Sequence, residues 1–224
     1  MTKKILSGNE AIARGFIEAG GKLAAAYPGT PSTEVLETLS CEKHIHAEWS
    51  VNEKVALEVT IGGALAGVRS MACMKHVGVN VAADPLFTAA YTGAPGALVV
   101  VSADDPGMAS SQNEQDNRRY AVAAGLPMLE PADSQEAYDF ALRAVQIAQT
   151  FQIPVLLRLT TRICHSRTVV KPSGGVEPAA PPAFVRDIRR YVMVPANARL
   201  AHRKLRAKLA EIALWNEQSA LNPA

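Results

Sequence analysis

Aromatic residues are scarce in this chain: Phe, Trp and Tyr make up 5% of its 224 residues, whereas apolar residues of all kinds reach 48%. A core with so few rings has to be filled by Ala, Val, Leu and Ile packed closely against small residues, and the 15 glycines suit that. Platforms on which bases could stack are equally missing. With a formal net charge of only +2 and no basic stretch interleaved with aromatics, nucleic acid is not an expected partner.

Cysteine is as sparse. Cys41, Cys73 and Cys164 are odd in number, far apart and without a C-x-x-C spacing, which suits reduced thiols in a cytoplasm and leaves no visible zinc or iron–sulfur site. No apolar run approaches a membrane span, and the opening MTKKILSGNEAIARG has neither a long apolar core nor a cleavage signature, so no membrane anchor or signal peptide is expected. The chain also lacks a G-x-G-x-x-G after a strand, a G-x-x-x-x-G-K-[ST] loop and a G-x-S-x-G elbow, the signatures of dinucleotide, nucleoside triphosphate and hydrolase sites.

What is present is an alternation of short apolar runs and helical periodicities. Ser7-Gly8-Asn9-Glu10 forms a capping box ahead of a helix stopped by Gly20-Gly21. Residues 23–27, 44–48, 68–74, 97–102, 126–130 and 153–159 read as strands, with ALVVVS at 97–102 the clearest central one. Helices are expected after Thr30-Pro31, with Thr30 as N-cap, over 53–67, from 75 through 90, and over 137–150 behind a capping box at Asp133 and Glu136. This spacing predicts an α/β fold: a parallel sheet of about six strands with helices on both faces. Ligands in such sheets bind beyond the carboxyl ends of the strands, which directs attention to the loops at 28–33, 48–53, 75–80 and 104–118.

The chain divides by composition into a body over 1–170, a Pro/Gly/Ala linker over 171–185 and a basic C-terminal arm over 186–224, where eight Lys and Arg face three acids. Within the arm Ala201, Leu205, Leu209, Ile212 and Trp215 form a helical stripe, which needs a surface on a partner or on this chain; the partner is slightly favoured.

The stretch EWSVNEKVALEVTIGGALAG at 48–67 is the most unusual. After Glu58 it is wholly Val, Thr, Ile, Gly, Ala and Leu, so a helix here is expected to be buried on nearly all faces. Glu53 at its head has two readings. In one, Ser50 and Glu53 close a capping box; in the other, the acid stands at the edge of a low-dielectric interior, where it can be kept able to donate a proton.

The strings LSGNEAIARG, AYPGTPSTEVLE, EWSVNEKVALEV, MKHVGVNVAADPL, ADDPGMASSQNEQDNR and RLTTRICHSR together resemble the large subunit of indolepyruvate:ferredoxin oxidoreductase, in the 2-oxoacid:ferredoxin oxidoreductase superfamily. The resemblance covers about residues 5–170 and touches RYVMVPANAR in the arm. It implies a thiamine diphosphate-binding fold of the pyrimidine-binding type. It also implies that Glu53, matched through E-x(13)-G to Gly67, hydrogen-bonds N1′ of the cofactor's aminopyrimidine and favours its imino tautomer. By the same resemblance Gly29 and Thr30 would touch the cofactor or substrate, and His76 and Asn80 would meet the reacting group. Gln112 and Asn113 lie near a substrate-carboxylate contact of relatives, with Arg118 the nearest substitute for an arginine those relatives use.

No GDG motif and no C-x-x-C-x-x-C-x-x-x-C run occurs. Mg²⁺, the diphosphate and [4Fe-4S] clusters are therefore expected on a partner chain, alongside a small gamma-domain-type subunit, with ferredoxin and coenzyme A serving the complex. Two rival readings share the fold: a subunit of a non-oxidative 2-oxo acid decarboxylase of the sulfopyruvate or phosphonopyruvate type, and a non-catalytic binding or regulatory remnant.

Overall fold

A computed structural model describes residues 2–175 and 180–221, so residues 176–179 of the expected linker lie outside the described residues. The chain runs β1 (Lys4–Ser7), α1 (Gly8–Glu18), β2 (Leu23–Ala26), α2 (Thr33–Ser40), β3 (His46–Trp49), α3 (Glu53–Leu65), β4 (Ser70–Lys75), α4 (His76–Val81) and α5 (Ala83–Thr92). It continues through β5 (Leu98–Asp104), α6 (Arg118–Ala124), β6 (Met128–Leu129), α7 (Ser134–Phe151), β7 (Val155–Thr160), α8 (Thr161–His165), β8 (Arg167–Val170), α9 (Ile188–Tyr191) and α10 (Pro195–Glu217).

Six strands form one wholly parallel sheet in the order β3-β2-β4-β5-β7-β6. Alternate residues of each strand serve opposite cores. Val99, Val101 and Ala103 of β5 join α1, α2 and α7 on one face, and Leu98 and Val100 join α3, α5 and α6 on the other. All seven residues of β5 are buried, as a strand covered on both faces requires. Leftward steps in strand order (β2 to β3, β6 to β7) cross on the first face and rightward steps on the second, so every crossover has the same hand. The chain leaves β2 toward one face and its neighbour β4 toward the other. The connections leaving their carboxyl ends therefore diverge, which makes this the switch point, the crevice where such sheets hold ligands.

Local chemistry accounts for several boundaries. Ser7 accepts from the Glu10 N–H while Glu10 accepts from the Ser7 N–H, the reciprocal cap expected for α1, and Gly20 at φ +73° ends it. Gly67, at φ +85°, does the same after α3. An antiparallel ribbon of β1 with β8 was not anticipated; it joins residues more than 150 positions apart, beyond the reach of local periodicity.

Four expectations are corrected. Thr30 is not an N-cap: the Thr30-Pro31 peptide is cis, and α2 begins at Thr33 behind Ser32, whose N–H and hydroxyl both donate to the Gly29 carbonyl. Ser50 is not an N-cap either. Its N–H extends the sheet ladder to the Ala26 carbonyl at 2.8 Å, which delays the helix until Asn52 can cap it through the Val55 N–H. Nor is α3 buried all round: Ala56, Leu57, Thr60 and Ala64 are buried, whereas Glu58 and Gly62 are exposed. The arm's stripe packs on the body, with Leu205, Ile212 and Leu209 in the core shared with α5 and α6, so the favoured partner surface for it is replaced by the chain's own.

Candidate functional site

The ends of three adjacent strands converge on the crevice. β3 leads through Ser50 to Glu53 at the first position of α3, β2 leads into Tyr27-Pro28-Gly29-Thr30, and β4 ends in Lys75 and passes directly into His76 of α4. The backbone comes close where Gly is required. A Cβ on Gly78 would stand 2.6 Å from Cγ and Oε1 of Glu53, so α4 is pressed against the Glu53 side chain and only hydrogen fits between them. A Cβ on Gly29 would meet Lys75 Cβ at 3.4 Å, placing the turn after β2 against the end of β4.

The three acids of the 48–58 stretch are sorted by their partners. Glu48 is 2.8 Å from His46, and Glu58 is 3.8 Å from Lys54. Glu53 is half-buried and takes no hydrogen bond or ion pair among the described residues, although it sits at the positive end of a helix. Among the described residues four buried side-chain atoms lack a hydrogen-bond partner, Asn9 Oδ1, Ser50 Oγ, His76 Nδ1 and Thr168 Oγ1, and Ser50 and His76 stand at the ends of the strands flanking β2. His76 itself is fully buried; Nε2 lies 3.0 Å from the Asn113 carbonyl, so in the neutral ring the proton is on Nε2 and Nδ1 is the acceptor.

The loop after β5 closes one side. Lys75 Nζ donates to the Ser110 carbonyl at 2.6 Å, Gln115 donates to the His76 carbonyl at 2.9 Å, and Asn80 is hydrogen-bonded to Gln115 and accepts from the Tyr120 hydroxyl. Asp105 ties the loop's start, accepting from the Ser110 N–H at 2.8 Å, the Ser111 hydroxyl at 2.6 Å and the Thr161 hydroxyl at 2.7 Å. Burial pushes the Asp105 carboxyl up, but these donors outweigh it and hold the group well below the usual carboxylate range.

The expected residues therefore divide. Glu53, Gly29, His76 and Asn80 are gathered by β2, β3, β4 and α4, and Asn113 reaches the group through its carbonyl. Thr30 and Gln112 are exposed, without a hydrogen bond among the described residues. Arg118 is already held in a bidentate pair by Asp116, at 2.8 and 3.0 Å, and is exposed, so the fork that would grip a carboxylate is occupied. Asp116 is correspondingly pulled down to about 2, first by the Arg118 hydrogen bond.

Sequence reasoning passed over Lys75, Gly78, Asp105 and Gln115. Lys75 carried a signal, as a lone charge closing an apolar strand; the others needed the loop's path. Beneath the loop, Asp104 is bonded to Arg158 at 2.8 Å, to the Asn117 N–H at 3.0 Å and to Ser102 Oγ at 3.1 Å, and Arg158 also pairs with Glu130. Among the described residues no cluster of His, Cys, Asp and Glu could hold a metal ion, and no helix is long and apolar enough to cross a membrane.

Comparison with known proteins agrees with this fold. The chain is 48% identical over 223 residues to the indolepyruvate oxidoreductase subunit IorA of Methanothermobacter thermautotrophicus, and 49% over 234 residues to that of Archaeoglobus fulgidus. Each match covers 98% of this chain but only 36% and 37% of the relative, so the chain spans about a third of the length of these relatives. A 2-oxoglutarate:ferredoxin oxidoreductase from Magnetococcus marinus, solved with 2-oxoglutarate, coenzyme A and succinyl-CoA bound, shares the fold with a TM-score of 0.73 at 19% identity, over 94% of this chain and 45% of that one. Residues 14–191 match the family described as pyruvate flavodoxin/ferredoxin oxidoreductase, thiamine diphosphate-binding, and the chain belongs to that family.

Proposed function

We propose that this chain supplies the aminopyrimidine-binding half of a thiamine diphosphate-dependent 2-oxo acid:ferredoxin oxidoreductase of the indolepyruvate type. Partner chains would hold the diphosphate, Mg²⁺ and iron–sulfur clusters, and the isolated chain would be inert. The observation that carries this reading is Glu53: a half-buried carboxyl at the switch point of the sheet, pressed by Gly78 and left without a partner. A ring nitrogen that shares a proton fits that group, and the orphaned Ser50 hydroxyl and His76 Nδ1 fit further polar atoms of a bound molecule.

Thiamine diphosphate, when bound, supplies the carbon nucleophile for decarboxylation of a 2-oxo acid. Glu53 holds a proton at N1′ of the pyrimidine and so sets its protonation state. Gly78 fixes the carboxyl's approach, and Lys75 draws the loop after β5 over the crevice, which limits water there. His76, oriented by the Asn113 carbonyl through Nε2, leaves Nδ1 for a polar atom of the bound molecule.

The test is hydrogen exchange at C2 of the bound cofactor in the reconstituted complex. Glu53→Gln keeps the shape of the side chain and is expected to slow exchange by about 10²–10⁴-fold. Unaltered exchange removes Glu53 from the mechanism.

A further inference from the structure

At the amino edge of the sheet, where α5 and α7 end ahead of β5 and β7, a cavity of about 520 Å³ lies between the arm and the body, bounded by α9, α10 and the carboxyl ends of α5 and α7. That volume is in the range of small-molecule sites, roughly 300–1,000 Å³. Four cations line it, Arg189, Arg190, Lys204 and Lys208, against one acid, Asp187.

Two of the cations have a structural task. Arg190 donates through Nε to the Thr92 carbonyl at 3.0 Å and through Nη2 to Gln152 Oε1 at 2.9 Å, and Lys208 Nζ donates to the Gln152 carbonyl at 3.0 Å. They finish the carboxyl ends of α5 and α7, where helix carbonyls favour positive charge. Their mutual repulsion is not relieved by this. Burial, and then the charge of Arg190, hold the Lys208 ammonium below its usual pKa against a smaller upward pull from Glu211. Asp187 spends Oδ1 on the Arg190 N–H as the cap of α9. Arg189 and Lys204 have no ion pair or hydrogen bond among the described residues, and both are exposed residues of the cavity's lining. The remaining wall is apolar, made by Ala90, Leu200, Ala201 and Leu205.

A concave site with cations in excess and an apolar wall matches a ligand with phosphoryl charge at one end and a less polar body at the other. We propose that this cavity binds a phosphorylated small molecule of nucleotide size, separate from the site at Glu53. An acidic segment of a partner chain would find the charge but would make less use of the apolar wall at Ala90, Leu200, Ala201 and Leu205.

Titration calorimetry of the full chain with ADP, and with inorganic pyrophosphate, tests the proposal. ADP is expected to bind with a Kd of about 1 mM or tighter at low ionic strength and more weakly as salt is raised. The exposed pair Arg189→Glu/Lys204→Glu should weaken it at least about tenfold, with unchanged circular dichroism, while Glu53→Gln leaves it unaltered. No saturable binding of either probe, or equal affinity in the Arg189→Glu/Lys204→Glu protein, overturns the proposal. A loss on Glu53→Gln would do so too, since it would place the ligand at the crevice.

Discussion

Glu53 and Asp104 both stand at the carboxyl edge of one sheet, Glu53 just after β3 and Asp104 ending β5, and their surroundings are opposite. Asp104 is 1% exposed and saturated by Arg158, Asn117 and Ser102, whereas Glu53 is half-buried and bonded to nothing among the described residues. A carboxylate with both oxygens engaged holds a structure together; one held in place by packing alone is available to a ligand. The same division runs through the loop after β5, where Asp105 is consumed in shaping the loop while His76 beside it keeps one ring nitrogen unused.

Removing Asp104 should therefore be the more damaging change to stability. Asp104→Ala leaves Arg158 buried with its charge half answered, at an expected cost of about 3–5 kcal/mol in urea unfolding. The double variant Asp104→Leu/Arg158→Met should recover much of that loss; if it does not, the pair is not the origin. At the other acid the effect moves from stability to activity. Gly78→Ala puts a methyl group where Glu53 sits, so turnover of the complex should fall by on the order of 10²-fold, whereas stability should fall by no more than about 1–3 kcal/mol, the helix preference of Ala offsetting part of the crowding. Unimpaired turnover in Gly78→Ala would show that the position of Glu53 is not critical.

The smallest effect concerns the loop. The carboxyl of Asp105 is held below its ordinary value in the fold, so its contribution is present above the unfolded value near about 3.9 and is lost as pH falls through the lower folded one. Wild type should exceed Asp105→Asn by roughly 1–3 kcal/mol at neutral pH. Below about pH 4 the difference should shrink, and a difference that is flat across that range would mean the carboxylate charge is not what the loop uses.

The sheet, its helices and the position of Glu53 were legible because each rests on a short-range pattern: the Ser7/Glu10 cap, the unbroken LVVV of β5, the glycine closing α3. The misreadings share one cause, a local preference overruled by a distant bond. Ser50 has a capping residue's chemistry, but its N–H belongs to Ala26, and Asn52 takes the role instead. Thr30 precedes a proline as an N-cap would, yet the turn is organised by the Gly29 carbonyl and, from the first helix, by Asn9, which donates to the Pro31 carbonyl at 2.7 Å. Asp104 and Arg158 are 54 positions apart, and nothing in either neighbourhood points to the other. Arg118 looked free in the sequence because the carboxylate that holds it, two residues away, also looked like ordinary loop polarity.

The ribbon of β1 with β8 sets Lys4 opposite Val170 and Ser7 opposite Arg167. The α/β body thus begins and finishes at a single seam. The two ends of the body are thereby tied by strand pairing alone, so a cut made in an exposed loop between them would leave both pieces anchored at one place.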